Sequence, residues 1–304
     1  GFDESDVVLE AYGGWYDNTD RIRWMDFDGD GDKDVVIGPR STGEWYLIEN
    51  ALTGDGEPNL IDRGVIANGY EGWYDDPERI WVADVNCDDR DDIVIGPRST
   101  GEWYALTSQG TGANSSLEDH GVVLNKYENW YKHADQIRVM DLDGNGCDDF
   151  LIGPRSDGAW FAITSTDPNP GSETKEDVLL DLGVANRRRW VDKFGLGYKN
   201  WHNDEPRIRV LDVNGDRCDD VLIGPKKGTG EWNVLQSDGE KFVVSRQLAV
   251  DTLDGWWNDT ERIWIGETNG DGYDDVLIGP KKSSGRWSVL RPTVIGEDWI
   301  DCRQ

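Results

Sequence analysis

The stretch that most constrains this chain is DFDGDGDKDVVIGP, from Asp26 to Pro39. Its first, third, fifth and ninth places are Asp26, Asp28, Asp30 and Asp34, with Gly29 and Gly31 set between them. Glycine suits the unusual φ/ψ values of a chain curling around an ion. Carboxylates crowded in this way are tolerable beside a hard cation, and Ca²⁺ takes six to eight oxygens at about 2.3–2.6 Å. Val35-Val36-Ile37 then reads as a short buried strand, stopped by Gly38-Pro39.

The unit recurs, with copies beginning at residues 26, 84, 141, 212 and 267, hence at intervals of 58, 57, 71 and 55. The later copies supply as candidate ligands Asp84, Asn86, Asp88 and Asp92, then Asp141, Asp143, Asn145 and Asp149. The last two supply Asp212, Asn214, Asp216 and Asp220, and Glu267, Asn269, Asp271 and Asp275. A near-constant period of this size marks a repeat architecture. Five copies in register, each leading into a strand that ends Ile-Gly-Pro, weigh against mere solvated turns. The long third interval implies one insertion, within about 167–199.

Each copy is preceded by an aromatic pair: Trp15-Tyr16, Trp73-Tyr74, Trp130-Tyr131, Trp201-His202 or Trp256-Trp257. Six places after the first Trp stands Arg21, Arg79, Gln136, Arg207 or Arg262, always followed by Ile. One strand enters the acidic loop, a second leaves it, a third follows Gly-Pro (GEWYLI in the first copy), and a strand-like run precedes the next repeat. Four strands per repeat, repeated radially, make a β-propeller. The expected fold is therefore all-β: one domain spanning 1–304, a five-bladed propeller of four-stranded blades. Its repeats are 13–70, 71–127, 128–198, 199–253 and 254–290, with a tail at 291–304. The strand at 6–12 is expected to complete the last blade and close the ring, which removes both loose edges. Trp45, Trp103, Trp160, Trp232 and Trp287, all mid-strand, are expected to pack between blades.

Composition narrows the partners. With 61 acidic against 31 basic residues the formal charge is −30, which repels nucleic acid and anionic membranes. No apolar run approaches the roughly twenty residues that span a bilayer. Millimolar Ca²⁺ outside cells suits weak sites of this kind, and the first residue is Gly rather than Met, so secretion after loss of a leader is expected. Cys87, Cys147 and Cys218 lie in the loops and Cys302 in the tail. Equivalent places on neighbouring repeats are expected to exceed the roughly 7 Å Cα separation that a disulfide tolerates.

The loops followed by V-[VL]-I-G-P resemble the FG-GAP or VCBS-type repeats of integrin α-subunit propellers and many secreted proteins. That resemblance implies a Ca²⁺-binding propeller holding up to five ions. Gly-Trp-Tyr replaces the usual Phe-Gly start, and integrins have seven repeats, so no particular ligand is carried over. Similar repeats also build a fungal propeller lectin with sugar sites between blades.

Strand order places the acidic loops at one end and the Gly-Pro turns at the other, together with the aromatic pairs. The turns offer Arg40, Ser41 and Glu44; Arg98, Ser99 and Glu102; Arg155 and Ser156; then Lys226, Lys227 and Glu231; and Lys281 and Lys282. Aromatics to cover sugar C–H faces and charged groups to bond hydroxyls make this a candidate saccharide surface, with the metals structural. Packing of the aromatic pairs and pairing of the six-place arginines with carboxylates are the competing roles. His120, His133 and His202 are the three histidines, and no nucleophile motif accompanies them. A surface copied in every blade suits avidity more than catalysis. The expectation is a secreted multivalent lectin for glycans or glycoconjugates, and no enzyme. The alternative is a protein-binding adhesion or toxin-associated propeller, and the third reading a glycosidase or polysaccharide lyase.

Overall fold

The computed structural model describes residues 9–15, 17–51, 59–156, 158–165, 179–181, 207–225, 230–239, 242–248, 260–281 and 284–292. Among them the fold is all-β, with short 3₁₀ turns, no α-helix, and five antiparallel sheets of three or four strands. The first sheet is β1 (Ile22–Met25), β2 (Asp34–Ile37), β3 (Glu44–Asn50) and β4 (Leu60–Asn68), in that order. The second is β5 (Ile80–Ala83), β6 (Asp92–Ile95), β7 (Glu102–Gln109) and β8 (Ser116–Asn125). The third is β9 (Ile137–Met140), β10 (Asp149–Ile152), β11 (Phe161–Ser165) and β12 (Leu179–Asp181). The fourth is β13 (Ile208–Leu211), β14 (Asp220–Ile223), β15 (Trp232–Ser237) and β16 (Phe242–Leu248). The fifth has β17 (Ile263–Gly266), β18 (Asp275–Ile278) and β19 (Ser288–Leu290). The chain groups into two compact units, Gly1–Ala134 with Ser165–Leu180, and Asp135–Thr164 with Asp181–Gln304.

The same register recurs in each sheet. Ile80 pairs with Ile95 and Ala83 with Asp92, so the acidic loop caps one end of the sheet and the Gly-Pro turn caps the other. The middle strands β6, β10 and β14 are buried at every residue, as expected of short apolar runs without alternation. In the first unit Met25, Phe27, Trp45 and Ile66 share a core with Trp73, Ile95 and Leu106. In the second, Met140, Leu151 and Trp160 pack with Val221, Ile223 and Leu235.

The Ile-Gly-Pro ending has a packing reason. A Cβ added at Gly96 would lie 3.0 Å from the Cα and the indole of Trp103, and Gly96 has φ +153°. Gly38 against Trp45, Gly224 against Trp232 and Gly279 against Trp287 are tighter still, at 2.7, 2.9 and 2.7 Å. The indole occupies the space a side chain would need. The glycine N–H meanwhile bonds the carbonyl six places after the aromatic Trp, as in Gly96 to Arg79 at 2.9 Å.

Trp45, Trp103, Trp160 and Trp232 are at most 2% exposed, as expected, but Trp287 is 52% exposed and stacks on Trp264 at 5.6 Å. Its sheet has three strands among the described residues. The start of the closing strand, residues 6–8, and the 167–178 and 182–199 parts of the expected insertion lie outside the described residues. Leu9 and Tyr12 are described, are not in a strand, and pack against Trp15, Ile37 and Ile48 of the first repeat.

Gly96→Ala is expected to lower unfolding free energy by about 3 kcal/mol, from overlap plus a glycine-only backbone. Gly13→Ala, where a Cβ meets nothing within 4 Å, is the neutral control. Equal urea midpoints for the two variants would refute the packing account.

Candidate functional site

Within each acidic loop the first carboxylate organises the backbone. Asp26 accepts the N–H groups of Gly29 and Gly31 at 2.9 and 3.0 Å, and Asp141 accepts those of Gly144 and Gly146 at 2.8 and 3.0 Å. Both glycines of each pair have positive φ. Other copies force side chains into that conformation: Cys87 and Asp89 at φ 58° and 64°, and Arg217 at 76°. Each such residue costs about 1–2 kcal/mol.

The ninth carboxylate is buried and ties the loop to the third strand of its sheet. Asp34 accepts from Phe27 N–H at 3.0 Å and Asn50 N–H at 2.7 Å; Asp92 from Val85 at 3.2 Å and Ser108 at 2.8 Å; Asp220 from Val213 at 3.3 Å and Ser237 at 2.8 Å. Burial pushes Asp34 up to about 6 and holds Asp92 and Asp220 well above the usual carboxylate range. The fifth copy breaks the pattern. Leu290 pairs with Val276 as Ile48 pairs with Val35, so the donor place of Asn50 falls to Pro292, which has no N–H. Asp275 Oδ1 is accordingly buried without a partner.

Asp26, Asp28 and Asp34, and likewise Asp141, Asp143 and Asp149, each bring carboxylate oxygens within 4.8 Å of one another, and either trio can hold a metal ion. Asp28 Oδ1 is buried with no hydrogen-bond partner, an acceptor left for a cation. Burial raises Asp28, Asp141 and Asp143 above the ordinary carboxylate range. Copies two, four and five carry Asn at the third place. There Asn86, Asn214 and Asn269 donate to Asp88, Asp216 and Asp271 at 3.2, 3.0 and 2.8 Å. Asp30 accepts Asp32 N–H, and Asn145 accepts Cys147 N–H, at the fifth places of the first and third loops.

Neighbouring loops interlock through an eighth-place aspartate absent from the sequence reading. Asp91 N–H donates to Asp26 O at 2.8 Å while Asp91 Oδ2 accepts Asp26 N–H at 2.7 Å. Asp219 does the same to Asp141, and Asp274 to Asp212. The recurrence of Asp at place eight in four copies was the available signal. The expectation that the loop cysteines stand too far apart to bridge fails as well. Cys87, Cys147 and Cys218 are all disulfide-bonded, and among the described residues no cysteine is free. With four cysteines in the chain, one bridge must join two loops.

At the opposite end of the second sheet, Gly72, Trp73, Asp76, Arg79, Arg98, Ser99 and Tyr131 line a pocket of about 260 Å³. Trp73, Arg79, Arg98, Ser99 and Tyr131 were anticipated; Gly72 and Asp76 were not. Trp73 is 1% exposed and belongs to the core, with the Arg79 and Arg98 guanidiniums 4.9 and 5.0 Å from its ring centre. Arg79 is buried, donates to Pro97 O at 2.9 Å and pairs with Asp76. Its counterpart Arg21 donates to Tyr74 O and Asn18 and stacks on the Tyr74 ring at 4.0 Å. These two arginines hold the fold together. Arg98 also stacks on Tyr104, at 5.4 Å.

Of the other anticipated residues, Trp15 and Trp130 are buried, as is Gln136. Arg40 is exposed beside Ser41, donates to Tyr46 Oη at 3.2 Å and lies 6.0 Å from the Trp15 ring. Glu44 and Glu102 accept from the hydroxyls of Thr42 and Thr100. Arg155 stacks on Phe161 at 5.8 Å beside the exposed Ser156. Arg262 donates to Pro280 O at 3.3 Å, and Arg207 and Glu231 are half-buried. Lys281 is exposed. Tyr16, Trp201, His202, Lys226, Lys227, Trp256, Trp257 and Lys282 lie outside the described residues.

Two further arginines escaped the sequence reading. Arg23 is buried and donates to Gly38 O at 2.9 Å and Pro77 O at 3.0 Å, and burial lowers it to about 10. Arg209 reaches Thr260 O at 2.8 Å in the second unit and is likewise lowered to about 10.

The chain matches no known protein-family profile and no curated protein. It is similar to a chain of the Tc holotoxin pore of Photorhabdus luminescens, with 16% identity and a TM-score of 0.47. The match covers 89% of this chain and 12% of that one.

Two outcomes are expected at the loops. Without divalent cation the raised carboxylates bind protons more tightly folded than unfolded, so stability is fullest below about pH 4 and falls as pH rises through about 6 for Asp34. Saturating Ca²⁺ should offset that fall, and melts from pH 4 to 8 with parallel slopes in EDTA and Ca²⁺ would count against metal binding. Arg217→Gly should stabilise by about 0.5–1 kcal/mol by relieving its positive φ, read from urea unfolding.

Proposed function

We propose that this chain is a secreted, Ca²⁺-stabilised carbohydrate-binding protein. In this reading its five sheets are the blades of one propeller of the FG-GAP or VCBS type. The observation that carries it is the pocket around Arg98, which gathers an aromatic, cations, a hydroxyl and a carboxylate at the end of the second sheet away from its acidic loop. Charged donors and acceptors next to aromatic carbon are what sugar hydroxyls and C–H faces need. Because Trp73 is buried, Tyr131, Asp76, Arg98 and Ser99 would make the contacts.

Ca²⁺ would be held by Asp26, Asp28 and Asp34, and by Asp141, Asp143 and Asp149, and would neutralise carboxylates that otherwise repel. Disulfide-bonded loop cysteines favour an oxidising, extracellular setting, and no described helix is long and apolar enough to cross a membrane. Turns with arginine in the first three repeats and lysine in the last two argue for sites of unequal strength.

A glycan array probed with the full chain in Ca²⁺ tests this. Binding is expected, and Arg98→Ala should weaken it about tenfold or more while circular dichroism stays unchanged. A folded chain that binds no glycan would overturn the reading.

A further inference from the structure

Arg98 is set apart from the other described arginines of this end of the sheets. Its guanidinium lies 5.0 Å from the Trp73 ring centre and 5.4 Å from that of Tyr104. Among the described residues it has no hydrogen-bond acceptor and no carboxylate partner. The nearest acidic residue in sequence, Glu102, is instead engaged by the Thr100 hydroxyl at 2.5 Å. Asp76, which shares the pocket, pairs with Arg79. Arg40, the equivalent residue one repeat earlier, already donates to Tyr46.

In a chain with 61 acidic residues against 31 basic ones, a cation without a carboxylate is kept so by where it is placed. Two aromatic faces hold the flat side chain, which leaves its five in-plane N–H donors for whatever enters. The neighbouring Ser99 is exposed, and its hydroxyl makes no hydrogen bond among the described residues. The pocket, at about 260 Å³, is below the 300–1,000 Å³ of drug-sized sites and matches a single sugar ring.

Resting on the saccharide reading above, we propose that the second-repeat pocket is a site for an acidic saccharide. Arg98 takes the oxyanion in a two-bond fork, Ser99 adds a donor, Tyr131 covers the ring and Asp76 accepts a hydroxyl proton. Arginine rather than lysine is needed because only the guanidinium both stacks and forks. The chain's overall negative charge does not forbid this, since at physiological salt its field is screened beyond about 8 Å.

The test is saturation-transfer NMR and calorimetry on the full chain in Ca²⁺ and 0.15 M salt, with glucuronate, glucose 6-sulfate and glucose as probes. Either acid is expected to bind about tenfold more tightly than glucose, and the better of the two identifies the oxyanion. Arg98→Met should erase that preference, bringing both acids down to the level of glucose on the same variant, while melting temperature holds. Should that variant not fold, Arg98→Lys, which keeps the charge but loses the fork, should reduce the preference. Equal binding of glucose and the acids, or a preference that survives Arg98→Met, overturns this inference and leaves the saccharide reading standing. Failure of all three sugars to bind a folded chain overturns this inference, and a blank glycan array beside it overturns the saccharide reading too.

Discussion

Each repeat depends on a buried carboxylate. The ninth-place aspartate stands at the start of the middle strand and accepts backbone N–H groups from the loop on one side and from the third strand on the other, as Asp92 does from Val85 and Ser108. Two such bonds satisfy donors that the short strands leave unpaired, and they fix the loop end of the sheet. The cost is a desolvated carboxyl whose ordinary ionisation is suppressed. Adding first- and third-place carboxylates then creates a concentration of negative charge that only protons or a cation can relieve. The fold of the loop and its capacity for a cation thus meet in one residue.

The fifth repeat illustrates the dependence by its exception. Pro292 removes the third-strand donor, Asp275 loses a partner, and the sheet has three described strands with Trp287 and Trp264 stacked in the open. In the other repeats the equivalent tryptophan is covered and pressed against a glycine that has no room for a side chain. The glycine and the tryptophan are therefore one packing unit, which is why Ile-Gly-Pro recurs ahead of each tryptophan-bearing strand.

At the other end, the arginines divide between those bonded into the fold and one whose donors stay unengaged. Arg21 and Arg79 are consumed by backbone carbonyls and nearby acids, and Arg23 clamps one repeat to the next. Arg98 is held by aromatic rings and keeps its donors. The turn arginines Arg40, Arg98 and Arg155 each meet an aromatic, Tyr46, Tyr104 or Phe161, in the following strand. Where the turn carries Lys226 or Lys281, that strand position is Asn233 or Ser288. The pairing follows from guanidinium stacking, and it was present in the sequence for anyone comparing the turn with the strand after it.

The sequence by itself determined the repeat number, the strands around each acidic loop, the burial of four of the five mid-strand tryptophans, and most of the residues around the pocket. Those follow from periodicity and local turn chemistry, which are written along the chain. Only the tertiary structure decided which arginines are spent and which are free, that Trp73 is core, that neighbouring loops come close enough for Asp91 to bond Asp26, and that the loop cysteines are bonded. These are contacts between residues dozens of positions apart, and their outcome depends on angles and distances between strands. Residue type and spacing do not encode those quantities one position at a time.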